Sequence, residues 1–382
     1  MISADAARAP DERRVVAPPA GRDATRPRSA SPRVGAVRRP AGRFASLRAL
    51  AVALAALLGC GGAPSPAAPA PPPSPPLHLA PVTDLAPAAG LAWLVDARPR
   101  ELFAHPELVV AMRALFPDAR FDAFAERHGG VDLRQLDELA VFAYPEATLF
   151  LAGGVVDPVK VEAAFARRAR IDGRAVDRKA DPLGVIVRSW GSVSDQREQV
   201  AVLGRRVAAL EIGHFGPLRA AELFAQGRLK RASPALRAAP FADLASALGD
   251  APVRAFAPGP FQAEWGRALG GLLAASTGIA AALRLEPGGD ERAEGGRARL
   301  TIALLGTWSR DPAAAGERLA AALHIIAESS LGKLCGLDHP ATEPSVRTTQ
   351  NTLVADVTVA LLPLFRGLNA ATAASADDIL RY

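Results

Sequence analysis

Aromatic residues make up only 5% of this 382-residue chain, and cysteine occurs only twice. With so few large rings, a core has to be closed by thin, closely packed helices and strands. Alanine supplies much of the 49% hydrophobic content. The chain has no CxxC pair, no HExxH, no G-x-S-x-G elbow, no Walker loop and no EF-hand spacing. The common signatures of redox, metallopeptidase, hydrolase, nucleotide and calcium chemistry are therefore missing. Lysine is confined to Lys160, Lys179, Lys230 and Lys333, so arginine carries the positive charge.

The net charge of +6 invites a nucleic-acid or anionic-membrane reading, but its location removes it. Residues 1–48 hold eleven arginines against Asp5, Asp11, Glu12 and Asp23, a balance of +7. Residues 49–60 carry no charge, which leaves everything after Cys60 at −1. A nearly neutral domain gives no electrostatic reason to expect nucleic acid.

Arg38, Arg39, Arg43 and Arg48 flank an uncharged run from Ala49 to Gly59, closed by Gly59-Cys60-Gly61-Gly62. A positive flank, an apolar run of about 7–15 residues and small residues at its end describe a secretory signal. Eleven residues at ~1.5 Å each reach ~16 Å, about half of a ~30 Å hydrocarbon core. A spanning helix is not expected there. Leu57-Leu58-Gly59-Cys60 resembles the lipobox of bacterial lipoproteins, with leucine at 58 where alanine or serine is commoner. The resemblance implies cleavage before Cys60, a diacylglyceryl thioether on its sulfur and an anchor in the cell envelope. Gly61 lacks the acidic side chain associated with inner-membrane retention, which implies the outer membrane, facing the periplasm or the surface.

The stretch "GGAPSPAAPAPPPSPP" follows, with eight prolines between Pro64 and Pro76. Proline removes amide donors and fixes φ, so neither helix nor sheet is expected. The sixteen residues Gly61 to Pro76 could reach ~50 Å as a semi-rigid stalk. The expected order is a disordered basic leader (1–48), an apolar signal region (49–59), and an acylated cysteine with its stalk (60–80). Two folded modules, 85–245 and 250–382, come after it.

Within 85–245, strands are expected at 90–97, 138–144, 147–154 and 184–190, and a hairpin at 199–213 turning at Gly204-Arg205. Pro99 opens one long helix through "ELFAHPELVVAMRALF". Asp157-Pro158 starts another, because aspartate accepts orphan amide hydrogens and proline at the first helical position has none to lose. The second half repeats the order: strands at 251–259, 278–287 and 298–308, a helix from Asp311-Pro312, and a hairpin turning at Gln350-Asn351. A helix around Trp265 to Leu273 and a last one near Pro363 complete it. The two Asp-Pro starts stand 154 residues apart, which suggests a duplication. The expected fold class is α+β, two related modules of mostly antiparallel sheet with packed alanine-rich helices.

"GGVDLRQLDELAVF" followed by "VVDPVKVEAAF", and "GRRVAALEIGHFGPLRAAELFAQG" followed by "ASPALRAAPFADLASALGDAPVRAFAP", resemble a pattern in uncharacterised bacterial envelope proteins with a domain of unknown function. That resemblance brings no activity and no catalytic residues.

Reactive groups are sparse. His324 and Glu328 stand i,i+4 on one helix, a spacing that serves a surface contact better than a lone metal site. Cys335 in "GKLCGLDHP" is the catalytic candidate, with His339 as base and Asp338 beside it. Neighbours in one short loop rarely make a catalytic pair, so Cys335 is a weak candidate and a buried inert thiol is the favoured reading. Ser192 and Ser194 near Asp195 read as turn residues, and Trp93, Trp190, Trp265 and Trp308 as core packing. No cofactor is implied. The expected partners are the membrane, through acyl chains on Cys60, and an envelope protein or cell-wall component. A binding or structural module is favoured over an enzyme. The alternatives are a hydrolase or thiol enzyme using Cys335, and a carrier of an apolar small ligand with a cavity between sheet and helices.

Overall fold

Alternation with a period of two builds the framework. In "ELAVFAY", Ala140 and Phe142 are fully buried on one side while Leu139 and Val141 point to the other, half-buried. The same alternation in neighbouring segments lets them join edge to edge. The computed structural model describes residues 76–171, 176–181, 185–214, 216–286, 296–308, 311–329, 332–333 and 335–367. The basic leader, the apolar run, Cys60 and the proline tract up to 75 lie outside the described residues.

In chain order the elements are β1 (Trp93–Ala97), helices α1 (Pro99–Phe103), α2 (Pro106–Leu115) and α3 (Asp118–Arg127), β2 (Glu138–Tyr144), β3 (Ala147–Gly153) and α4 (Pro158–Ile171). Then come β4 (Asp177–Ala180), β5 (Ile186–Val193), β6 (Gln196–Leu203), β7 (Val207–Gly213), α5 (Pro217–Ala225) and α6 (Phe241–Leu248). The remainder is β8 (Val253–Pro258), α7 (Ala263–Arg267), β9 (Ser276–Glu286), β10 (Arg297–Gly306), α8 (Pro312–Glu328), β11 (Ser345–Thr348), β12 (Thr352–Ala360) and α9 (361–367).

Among the described residues, all twelve strands belong to one sheet, in the order β11-β12-β10-β9-β8-β1-β2-β3-β7-β6-β5-β4. Every paired ladder is antiparallel. The protein is thus an α+β fold on a large antiparallel sheet. The boundary expected near 245–250 does not separate two bodies. β1 and β8 pair directly, Leu94 opposite Phe256 and Asp96 opposite Arg254, and the described residues fall in a single compact unit. Arg254 donates to the Asp96 carboxylate at 2.7 Å across that seam. Both edge strands, β4 and β11, are four residues long, and β4 carries Asp177, Arg178 and Lys179. Short charged edges resist pairing with another chain.

Helices cover both faces. On the first, Leu94, Phe142, Leu149, Leu151, Leu203 and Phe256 pack beneath α5, α6 and the 3₁₀ turn Val82–Leu85. Each such side chain, fully withdrawn from water, contributes about 1.5–3 kcal/mol. On the second face, α4 lies over β5 and β6 with Val161 and Phe165 inward, and α8 lies over β11 and β12 with Leu319 inward. α1, α2 and α9 close the patch that holds Leu283, Ala298, Val357 and Val359.

Three local differences from the expected elements have physical causes. The helix expected from Pro99 is two, because Pro106 forces His105 into an extended conformation (φ −93°, ψ 110°). The helix expected from Trp265 to Leu273 stops at Arg267, where Ala268 turns extended (ψ 156°), and positive φ at Leu269, Gly270 and Gly271 keeps it from resuming as one helix. Elements α3 and β4, both rich in charged residues, are additions. Both Asp-Pro helix starts form as expected: Asp157 accepts from the Val159 amide at 3.0 Å and Asp311 from the Ala314 amide at 2.9 Å.

Candidate functional site

On the second face, β2, β3, β6 and β7 present side chains that no helix fully covers. Leu139 and Val141, Phe150 and Ala152, Val200, and Ala208 and Leu210 form the floor of a cavity of about 430 Å³. Val161 of α4 makes one wall, Val131 and Leu133 close one end, and Phe124 and His128 of the α3 segment form the roof. The closed end is the better buried, with Ala152, Val161, Val200 and Ala208 all withdrawn from solvent. Thr148, Ile212 and the exposed Gln196 stand at the other end. Small-molecule sites span roughly 300–1,000 Å³ and are mostly apolar with a few placed polar groups. This cavity fits that description.

The roof is set by one glycine. Gly129 has φ +72°, and a Cβ there would overlap the Lys160 carbonyl in the first turn of α4. Only glycine lets α3 end against α4 so closely, and this seats His128 over the floor. Phe124, one turn earlier, stacks on the imidazole with centroids 4.2 Å apart and planes at 25°. Burial, helped by the charges of Arg168 and Arg127, pushes His128 down to about 3, so the ring is neutral at physiological pH. Its Nε2 is buried and has no hydrogen-bond partner among the described residues.

Beside the cavity, Arg168 of α4 reaches the fully buried Glu198 of β6 at 3.5 Å and lies over the Phe165 ring. Burial lowers the guanidinium's affinity for its proton, and Glu198 partly restores it. On the other half of the same face, the space over β9, β10 and β12 is filled. Leu272, Leu273 and Trp308 pack there on Leu304, Leu353 and Leu319. A second cleft of about 490 Å³ beside Tyr144, Glu146 and His214 is more open to solvent and brings together only an exposed His214–Glu146 pair at 3.7 Å.

The residues singled out by sequence fall elsewhere. Cys335 is buried among Leu102, Leu108, Val357 and Leu361, and burial raises its thiol pKa. His339 is 90% exposed and meets Asp338 at 3.6 Å, whereas the sulfur lies in the apolar cluster. His324 and Glu328 form an exposed i,i+4 contact at 3.1 Å. Among the described residues, no group of three or more His, Cys, Asp or Glu could hold a metal ion. Ser194 and Asp195 do form a turn, at positive φ of 47° and 64° in the β5–β6 hairpin. Ser192 does not; it is buried in β5, with its hydroxyl on the Gln196 carbonyl.

Core packing accounts for Trp308 but not for Trp93 and Trp265, which are 43% and 72% exposed. Trp93 stands on the second face of β1 and Trp265 in the short helix α7. The cavity residues were missed because the helical stripe of Phe121, Phe124 and Ala125 in "DARFDAFAERHGG" is short and set among charged residues. The available signal was Val141, Phe150, Leu210 and Ile212, apolar at strand positions opposite an already apolar face. No helix among the described residues is long and apolar enough to cross a membrane. Compared with protein-family models, curated proteins and solved structures, the chain matches none of them.

Proposed function

We propose that this chain is a lipid-anchored protein of the bacterial cell envelope whose folded part binds and carries an apolar small molecule in the cavity beneath α3. The observation that carries the reading is the cavity's asymmetry of construction. Apolar floor residues of four strands are left uncovered there, while the matching space on the other half is plugged by Leu272, Leu273 and Trp308. Burying apolar ligand surface contributes ~25 cal/mol per Å², so an apolar molecule gains by leaving water for this site.

Strand order supports a duplication as the origin of that asymmetry. Outward from the β1–β8 seam, β1-β2-β3-β7-β6 on one side matches β8-β9-β10-β12-β11 on the other. In each half an Asp-Pro helix, α4 or α8, follows the third strand. One copy filled the space between sheet and helix; the other kept it. The two related modules then share one sheet, and the resemblance to envelope proteins of unknown function concerns this pair.

The anchor rests on the lipobox-like Leu57-Leu58-Gly59-Cys60 and the proline tract behind it. Two or more acyl chains hold a protein on a membrane where one does not. Incorporation of radiolabelled palmitate by the wild type and not by Cys60→Ala is the expected result; equal incorporation contradicts the anchor.

The cavity is tested by titrating the neutral fluorescent probe N-phenylnaphthylamine into the full-length chain carrying Cys60→Ser. Saturable enhancement is expected, and its loss in Ala208→Phe, which puts a ring into the floor. Enhancement that does not saturate, or that survives Ala208→Phe in a folded protein, contradicts a carrier role.

A further inference from the structure

The most exposed large apolar side chains among the described residues are Val155 and Val159, at 88% and 74%. Both lie where β3 leads into α4, and this connection is fixed against the β6–β7 turn. The Gly154 amide donates to the Arg206 carbonyl at 2.8 Å and the Val156 amide to the Arg205 carbonyl at 3.1 Å. The described chain begins at this same end. A Cβ on Gly204 of the turn would stand 3.4 Å from Leu79 and 3.9 Å from Leu77. His78, between them, donates its amide to the Ala225 carbonyl and lies against Gly227. That contact brings in the basic segment 227–231. Arg228, Lys230 and Arg231 are exposed there, as Lys160, Arg205 and Arg206 are beside the valines.

None of these six cations is ion-paired among the described residues. The carboxylates of this end are less exposed and turned to backbone: Asp157, Asp181 and Glu138 accept from the amides of Val159, Val185 and Val82. The outermost layer is therefore positive, although everything after Cys60 sums to −1. Resting on the anchor reading, we propose that this end is a docking surface for the membrane that holds Cys60. The six cations meet anionic phospholipid headgroups, and Val155 and Val159 enter among them.

The tether names the occupant. Residues 61–76, expected to be extended, span ~50 Å at most, so the bilayer is always within reach of the end where they join the fold. Such a tether supplies a high effective concentration, and a weak contact is then enough. An anionic surface attracts each nearby lysine or arginine within about a Debye length, ~8–10 Å, which suits cations gathered around the point of entry. The Pro145-Glu146 turn lies at the opposite end of β3, beside the open end of the cavity at Thr148 and Ile212. A domain docked in this way opens its cavity away from the bilayer.

The experiment uses the full chain isolated from bacterial membranes, its acyl groups checked by mass spectrometry. It is placed in vesicles of three parts phosphatidylcholine to one part phosphatidylglycerol, with a trace phospholipid carrying a diazirine beside its headgroup. On irradiation, labels should map to 155–160, 204–206 and 228–231 and spare the Pro145-Glu146 turn. Arg205→Gln with Arg206→Gln should cut the label on 155–160 at least about fivefold, the worth of one cation near an anionic surface. Phosphatidylcholine alone should do the same. Val155→Ser with Val159→Ser should lower the label on 204–206. All four positions are exposed, so unchanged thermal melting shows that these variants are folded. Labels spread equally over both ends, or indifferent to phosphatidylglycerol and to the arginine substitutions, overturn the docking surface and leave the anchor standing. A chain isolated without acyl groups overturns both.

Discussion

Phe124 and His128 stack face to face at 4.2 Å, one turn apart at the end of α3, and together they roof the apolar cavity. The pairing keeps a titratable ring out of water, and that has a consequence for acid stability. The folded chain holds His128 near 3, whereas an unfolded imidazole titrates near its ordinary 6.5. Between those values the unfolded chain binds a proton that the folded chain does not. This contribution to stability is therefore complete above 6.5 and lost as pH falls from 6.5 toward 3. His128→Gln removes the loss. Denaturant melts should show the variant gaining on the wild type by about 2 kcal/mol between pH 7 and pH 4.5. A constant difference across that range contradicts a buried neutral ring.

The β1–β8 seam makes a second prediction. Because Leu94 and Phe256 meet across it within one continuous core, both halves should unfold together. Phe142→Ala, in β2, and Phe256→Ala, in β8, should each lower the same single transition by about 3–4 kcal/mol. Two thermal transitions, each moved by only one of these substitutions, would show that the halves are independent.

A third concerns the thiol. Cys335 is buried in an apolar cluster and its pKa is raised by burial alone, so the reactive thiolate is scarce. In the Cys60→Ser chain it is the only cysteine. Reaction with a disulfide reagent at pH 8 should run at least about tenfold slower in the folded protein than in denaturant. A folded thiol that reacts faster than the unfolded one would revive the nucleophile reading.

Much of the fold was legible because its signals are local. Asp157-Pro158 and Asp311-Pro312 mark helix starts through capping chemistry that involves two or three neighbouring residues. The hairpin at Gly204 and the turn at Gln350-Asn351 are local for the same reason. What escaped depends on distance in sequence. Nothing near Leu94 announces that it will face Phe256, so the joining of both halves in one sheet is not visible locally. The cavity escaped for a related reason. Phe150, Leu210 and Val161 become neighbours only through the β3–β7 ladder and the placement of α4. His128 carries no motif, and its isolation from other reactive residues in sequence made it look idle. The reactive residues that did stand close in sequence, Cys335 with His339 and His324 with Glu328, are an apolar core thiol and surface pairs.

The binding of an apolar ligand beneath α3 is tested most directly by photolabelling. A diazirine-bearing alkyl ligand is bound to the full-length Cys60→Ser chain, irradiated, and its attachment sites are mapped by peptide mass spectrometry. Labels should concentrate on Phe124, Phe150, Leu210 and Ile212 and disappear when unlabelled dodecanoate is added in excess. Labels spread over the exposed Trp93, Trp265 and Ile325, and indifferent to the competitor, would mean that the ligand adheres to the surface and that the cavity does not bind it.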